Sequence, residues 1–100
     1  MVLPDFRVVT RGGEHLLIEV KNVGGRFRPR PQKLRAATVR AQQHYAQLTG
    51  ARLLHAHYWA GNNHWSLVDS QVLRPHGEHL VLDQSTAMQQ INEIVFELLS

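Results

Sequence analysis

Three side chains near the start of the chain have the types and spacing of a hydrolytic metal site. Asp5 is followed, after thirteen intervening residues, by Glu19-Val20-Lys21. Side chains alternate faces along a strand, so Glu19 and Lys21 project together while Val20 projects the other way. Residues 4–10 (PDFRVVT) and 15–21 (HLLIEVK) are short and rich in Val, Ile, Leu and Phe, with RGGE between them. Apolar strand runs joined through Gly-Gly read as a β-hairpin. A three-residue loop, Arg11 to Gly13, sets Asp5 across the ladder from Glu19, whereas a two-residue loop sets it beside Val20. In the first register two carboxylates and a lysine share one surface. Glu19 is embedded among Leu16, Leu17, Ile18 and Val20, and a charge in so apolar a strand needs a partner or a metal.

Two acidic oxygens beside a backbone carbonyl suit Mg2+ or Mn2+. Such an ion polarises a scissile phosphate and acidifies a bound water. Lys21 is then available to orient that water or to offset the negative charge that develops on the phosphate. An isolated Glu-x-Lys more often makes a plain surface ion pair. The upstream Pro-Asp, the hairpin spacing and the apolar strand favour the metal site.

The elements that must position these groups follow from pattern. Residues 22–31 (NVGGRFRPRP) contain two glycines and two prolines and read as a loop. From Gln32 to Thr49 there is no Gly or Pro, and Leu34, Ala37, Ala41, Tyr45 and Leu48 mark the buried face of an amphipathic helix ending at Gly50. Strands are expected over 52–59 (RLLHAHYW), 64–69 (HWSLVD) and 79–83 (HLVLD). A second amphipathic helix, with Met88, Ile91, Val95, Leu98 and Leu99 on one face, is expected to be capped by Ser85 or Thr86. The order is ββαβββα. That predicts an α/β fold, a mixed sheet with helices packed against it, in a single domain over residues 1–100.

With these elements in place, Pro4-Asp5 and Glu19-Val20-Lys21-Asn22 resemble the PD-(D/E)xK motif of the restriction-endonuclease-like nucleases. The resemblance covers roughly the first sixty residues. It implies a Mg2+-dependent nuclease acting on DNA, or on RNA, with Asp5 and Glu19 as metal ligands and Lys21 as the catalytic lysine. It also implies that the Val20 carbonyl completes the metal site. Several branches of the group add a glutamine on the following helix. Here Gln43, beside Tyr45, is the expected contributor, with Gln42 close behind. Members often carry a further acidic residue on a helix before the Pro-Asp strand, and this chain begins three residues before that pair. The expectation is then that the chain is a fragment of a longer parent, that a second subunit completes the site, or that activity is weak. The run EVKNV is also similar to nuclease-fold toxin domains of bacterial polymorphic toxins.

Composition is compatible with this reading. Hydrophobic residues make up 43% of the chain and charged residues 19%, the profile of a folded domain. The net charge is +3, and Arg26, Arg28, Arg30, Lys33, Arg35 and Arg40 crowd into one stretch that suits a phosphate backbone. There is no membrane-length apolar run and no signal-peptide pattern, and cysteine is absent, so a cytoplasmic protein without a membrane partner is expected. His55, His57 and His64 have zinc-like spacing, but a coincidental His-x-His on an exposed strand face is the expected reading. Trp59, Trp65 and Tyr58 are expected to cover the hairpin and core rather than stack on bases. The alternatives to an enzyme are a non-catalytic nucleic-acid-binding module that keeps the fold, and a homodimer formed through INEIVFELL.

Overall fold

In a computed structural model of the chain, which describes residues 2–90, the Gly-Gly connection forms the predicted hairpin. β1 (Phe6–Val9) pairs antiparallel with β2 (His15–Val23), with Val9 opposite His15 and Phe6 opposite Ile18. The Thr10 N–H donates to the Glu14 carbonyl at 2.9 Å, and the Gly13 N–H to the Thr10 carbonyl at 3.0 Å. The loop proper is thus Arg11 to Gly13, and Gly13 (φ 83°) takes the left-handed position that three-residue loops require. One step beyond Phe6, this register sets Asp5 opposite Glu19.

The predicted first helix begins later than its composition suggests. Residues 32–35 form a strand, β3 (Gln32–Arg35), and α1 spans Ala36–Leu48. In β3 only Leu34 is buried, the alternation of a strand, and it lies opposite Leu80 of β7 (His79–Leu82). That distant partner overrides a local helix preference. The buried face of α1 is Ala36, Val39, Gln42 and Ala46, whereas Leu48 is exposed, which corrects the face expected from Ala37, Tyr45 and Leu48. With so many alanines, several faces of this helix score alike, and the β-branched Val39 decides which one packs.

α1 ends as predicted. Thr49 donates its N–H to the Tyr45 and Ala46 carbonyls, and Gly50 follows in the left-handed region (φ 67°). β4 (Ala51–Trp59) then lies parallel to β2, and β5 (His64–Asp69) pairs antiparallel with β4. The result is the expected mixed sheet, ordered β1-β2-β4-β5. A second, three-stranded sheet was not expected. It is ordered β3-β7-β6 and adds β6 (Arg74–His76), where Pro75 is tolerated because the strand lies at an edge. Residues 84–90 are helical. The cap is Asp83 rather than Ser85 or Thr86: its Oδ1 accepts the Thr86 N–H at 2.7 Å and its carbonyl accepts the Ala87 N–H. Ile91, Val95, Leu98 and Leu99, on which the homodimer expectation rests, lie outside the described residues.

The main core lies where α1 and the smaller sheet meet one face of the larger one. Val23, Leu34, Val39, Trp59, Val68, Leu80 and Leu82 pack together there. Leu16, Leu54, Ile18 and Leu67 pack on the opposite face. Among the described residues, no helix is long and apolar enough to cross a membrane.

Candidate active site

β2 and β4 run side by side, and residues in register face α1 together. The cross-strand pairs on that face are Leu17 with Leu53, Glu19 with His55, Lys21 with His57, and Val23 with Trp59. The two end pairs are apolar and the two middle pairs are ionisable. Strand alternation puts all of them on the covered face, so Glu19, His55 and His57 are buried while Lys21 reaches out to solvent.

The hairpin and α1 converge on Glu19. Its side chain is almost wholly buried, and Oε2 accepts a hydrogen bond from Gln42 Nε2 at 3.4 Å and meets Lys21 Nζ at 3.6 Å. Asp5, at the open end of β1, accepts the Val20 N–H on Oδ2 at 2.8 Å. That bond raises the hydrogen-bond support of its charged form and holds its carboxyl below the usual carboxylate range, helped by a hydrogen bond with Glu19. Glu19 shifts the other way. Burial raises its pKa most, and the hydrogen bond to the Asp5 carboxylate adds to the effect. The two carboxyl groups are thus pushed in opposite directions by one contact, which supports the charge on Asp5 and disfavours it on Glu19. Lys21 is the solvent-facing member, with its side chain 41% exposed against 6% for Glu19.

This donor set fits a hard divalent cation. Two carboxyl groups within hydrogen-bonding reach would both be stabilised by a doubly charged ion, which offsets the burial of Glu19 and its repulsion with Asp5. Asp5, Glu19 and the carbonyl of Val20 supply oxygen only. Among the described residues, no group of three or more His, Asp or Glu side chains converges on one point.

Gln43, the expected glutamine, lies elsewhere. Its Nε2 donates to Ser70 Oγ at 3.0 Å. Gln42 is the one aimed at Glu19, with a second hydrogen bond from Nε2 to the Val2 carbonyl at 3.1 Å. The reason is the helix face: Gln42 lies three residues after Val39 and four before Ala46, so it shares their buried stripe. Placing Val39 on the packed face would have selected it from the sequence.

His55 and His57 are buried, not on an exposed face as predicted. Their rings stack at 6.2 Å, and His57 stacks on Trp59 at 5.7 Å. None of the four ring nitrogens has a hydrogen-bond partner among the described residues. Burial first, then nearby positive charge, pushes both pKa values down to about 4, so both rings are neutral near pH 7. His64 is exposed at the far end of the sheet and does not join them. Trp59 is core, donating Nε1–H to Ser66 Oγ at 2.8 Å, and Tyr58 packs on Trp65 across the hairpin, as expected.

The basic residues surround the site in sequence order. Glu19, Lys21, Lys33, Arg35, Thr38 and Gln42 line a cavity of ≈ 250 Å³. A depression bordered by Arg26 and Arg30 adjoins it at Gln32. Another, bordered by Arg40 and His79, adjoins it at Arg35. Each of these depressions thus shares one lining residue with the cavity at Glu19 and Lys21, and the second is also lined by Glu78. Arg28 is exposed on the loop between β2 and β3.

No protein-family model matches the chain, and no curated protein matches it in sequence. The structure is similar to that of Hjc, a Holliday junction resolvase from the archaeal hyperthermophile Archaeoglobus fulgidus. The TM-score is 0.71 and the identity 24%, over 87% of this chain and 67% of that chain. The chain therefore has the restriction-endonuclease-like fold that its Pro-Asp and Glu-x-Lys residues resemble.

Proposed function

We propose that the chain is a divalent-metal-dependent nuclease that hydrolyses phosphodiester bonds in DNA. The observation that carries this reading is geometric: Asp5, held on the Val20 N–H, stands beside buried Glu19, which meets Lys21 and Gln42 in a cavity that Lys33 and Arg35 also line. Likeness of fold to a resolvase supports it. Asp5, Glu19 and the Val20 carbonyl would hold Mg2+ or Mn2+, which when bound supplies Lewis-acid polarisation of the phosphate and an acidic water. Lys21 extends from beside buried Glu19 toward solvent, so its ammonium would meet the phosphate and offset the charge that builds on its oxygens. Gln42 positions Glu19 by anchoring Oε2 to the backbone of Val2 through one amide group. Neutral His55 and His57 fill the floor without adding positive charge that would compete with a cation. Lys33 and Arg35 line the same cavity and are placed to take the flanking phosphates.

The test is cleavage of plasmid, single-stranded and four-way-junction DNA in Mg2+, Mn2+ or EDTA. Cleavage is expected with either metal, lost in EDTA, and lost in Glu19→Ala and Lys21→Ala. Cleavage that survives either substitution overturns the assignment. A second reading, a non-catalytic DNA-binding module, draws on the convergence of only two carboxylates among the described residues. Steeply salt-dependent DNA binding without cleavage in any metal would establish it instead.

A further inference from the structure

The loop between β2 and β3, residues 24–31, reads GGRFRPRP. Phe27 at its tip is 76% exposed, more than any other large hydrophobic side chain among the described residues. Arg26, Arg28 and Arg30 alternate around it, and residues 22–32 contain no acidic residue. An apolar ring held in water normally turns inward or moves freely. Here the backbone beneath it is gripped from the neighbouring turn. Asn62 Nδ2 donates to the Phe27 carbonyl at 3.2 Å, and the Asn62 amide is itself fixed by reciprocal hydrogen bonds with Gln84, both at 2.7 Å. Next to it in the same turn, Gly61 packs so closely that a Cβ there would overlap the Arg26 carbonyl. The turn thus seats two consecutive carbonyls of the loop, of Arg26 and Phe27, while the ring is exposed.

We propose that Phe27 is a base-stacking site, which binds an unpaired nucleobase of the DNA while the flanking arginines take the adjacent phosphates. This deepens the nuclease reading and rests on it for the identity of the polymer. Charge selects the occupant: an aromatic face set among cations matches a base flanked by anionic phosphates. An apolar protein partner would bury those arginines without counter-charge. Preorganisation lowers the entropy lost when the ring is engaged. Position connects the two sites: β2, which carries Glu19 and Lys21, runs directly into the loop that carries Phe27. The Arg26–Arg30 depression adjoins the candidate active site at Gln32, so one strand can occupy both. Paired, stacked bases do not offer their faces to Phe27. The preferred substrate therefore carries an unpaired base near the bond cleaved.

The test uses the full chain in EDTA, so that binding is read without cleavage, with intact and gapped duplexes carrying 2-aminopurine at the unpaired position. Wild type is expected to bind the gapped duplex about tenfold more tightly than the intact one, and to quench the probe. Phe27→Ala should lose both the preference and the quench, and Phe27→Trp should restore both. A gapped-duplex preference or quench that persists in Phe27→Ala overturns the proposal, as does equal wild-type affinity for the two duplexes. A parallel cleavage assay in Mg2+ separates the two claims. Quenching that depends on Phe27, without cleavage in any metal, supports the stacking site and refutes the nuclease reading. Metal-dependent cleavage with a gapped preference indifferent to Phe27 does the reverse.

Discussion

The ends and the middle of the β2–β4 pair are made from the same backbone pattern and serve opposite purposes. At the ends, Leu17 with Leu53 and Val23 with Trp59 close two apolar clusters against α1 and the smaller sheet. In the middle, Glu19, His55 and His57 are buried on the same face with few hydrogen bonds and shifted pKa values, and Lys21 extends from them toward solvent. Burying ionisable groups costs stability, whereas burying leucine and tryptophan supplies it. The apolar pairs thus hold open a strained polar patch that would not persist alone. Catalytic sites commonly carry such a local cost, which the rest of the fold must offset.

Acidification should break the contrast most severely. Both imidazoles titrate at about 4 when folded and near 6.5 when unfolded, so the unfolded state binds more protons between those values. Stability should be fully present above pH 6.5 and fall as pH drops toward 4, by up to about 1.4 kcal/mol per pH unit for each ring. Urea denaturation across this range checks it, and His57→Leu should roughly halve the slope. Removing an apolar end comes next. Trp59→Ala should cost about 3–5 kcal/mol, read as a lower denaturation midpoint, because it opens a cavity and leaves Ser66 Oγ without its donor.

Changes in the middle should act on chemistry instead. Lys21→Ala should reduce the cleavage rate by about 10²–10³-fold while leaving the unfolding free energy measured in urea within about 0.5 kcal/mol of wild type. A matching loss of stability would mean that middle and ends are not separable. Glu19→Gln sharpens the contrast further because its two effects have opposite signs. The raised pKa means that the folded state favours the protonated acid, so stability is lost as pH rises from 4.5 through the raised value. The neutral amide removes that penalty. It should raise stability at pH 7.5 by about 1 kcal/mol and abolish Mn2+ binding measured by calorimetry. The smallest effect expected is in the glutamine pair. Gln42→Ala should slow cleavage several-fold by freeing Glu19, and Gln43→Ala, which loses only its Ser70 contact, should not.

What the sequence disclosed follows the range of the interactions involved. The hairpin depends on a local turn and was readable from Gly-Gly, but its register stayed open between a three- and a two-residue loop until the turn's own hydrogen bonds set Asp5 opposite Glu19. β3 was not readable, because its four residues become a strand only by pairing with β7, far along the chain. The choice between Gln42 and Gln43 turned on a rotation of one residue about an alanine-rich helix, which hydrophobic periodicity resolves poorly. His55 and His57 alternate with Leu54, Ala56 and Tyr58 as if one face of β4 met solvent. Both faces are covered, and a strand covered twice does not show which of its polar residues are buried.

The grip on the 24–31 loop has a consequence for how such a surface can be altered. Asn62 and Gly61 hold carbonyl and main-chain atoms of Phe27 and Arg26, not their side chains. Residues 26–28 are therefore interchangeable at little structural cost, and a contact surface of new chemistry can be written onto the loop without redesigning its support. Gly61 is the position that cannot vary with them: any larger residue there would unseat whatever sequence the loop carries.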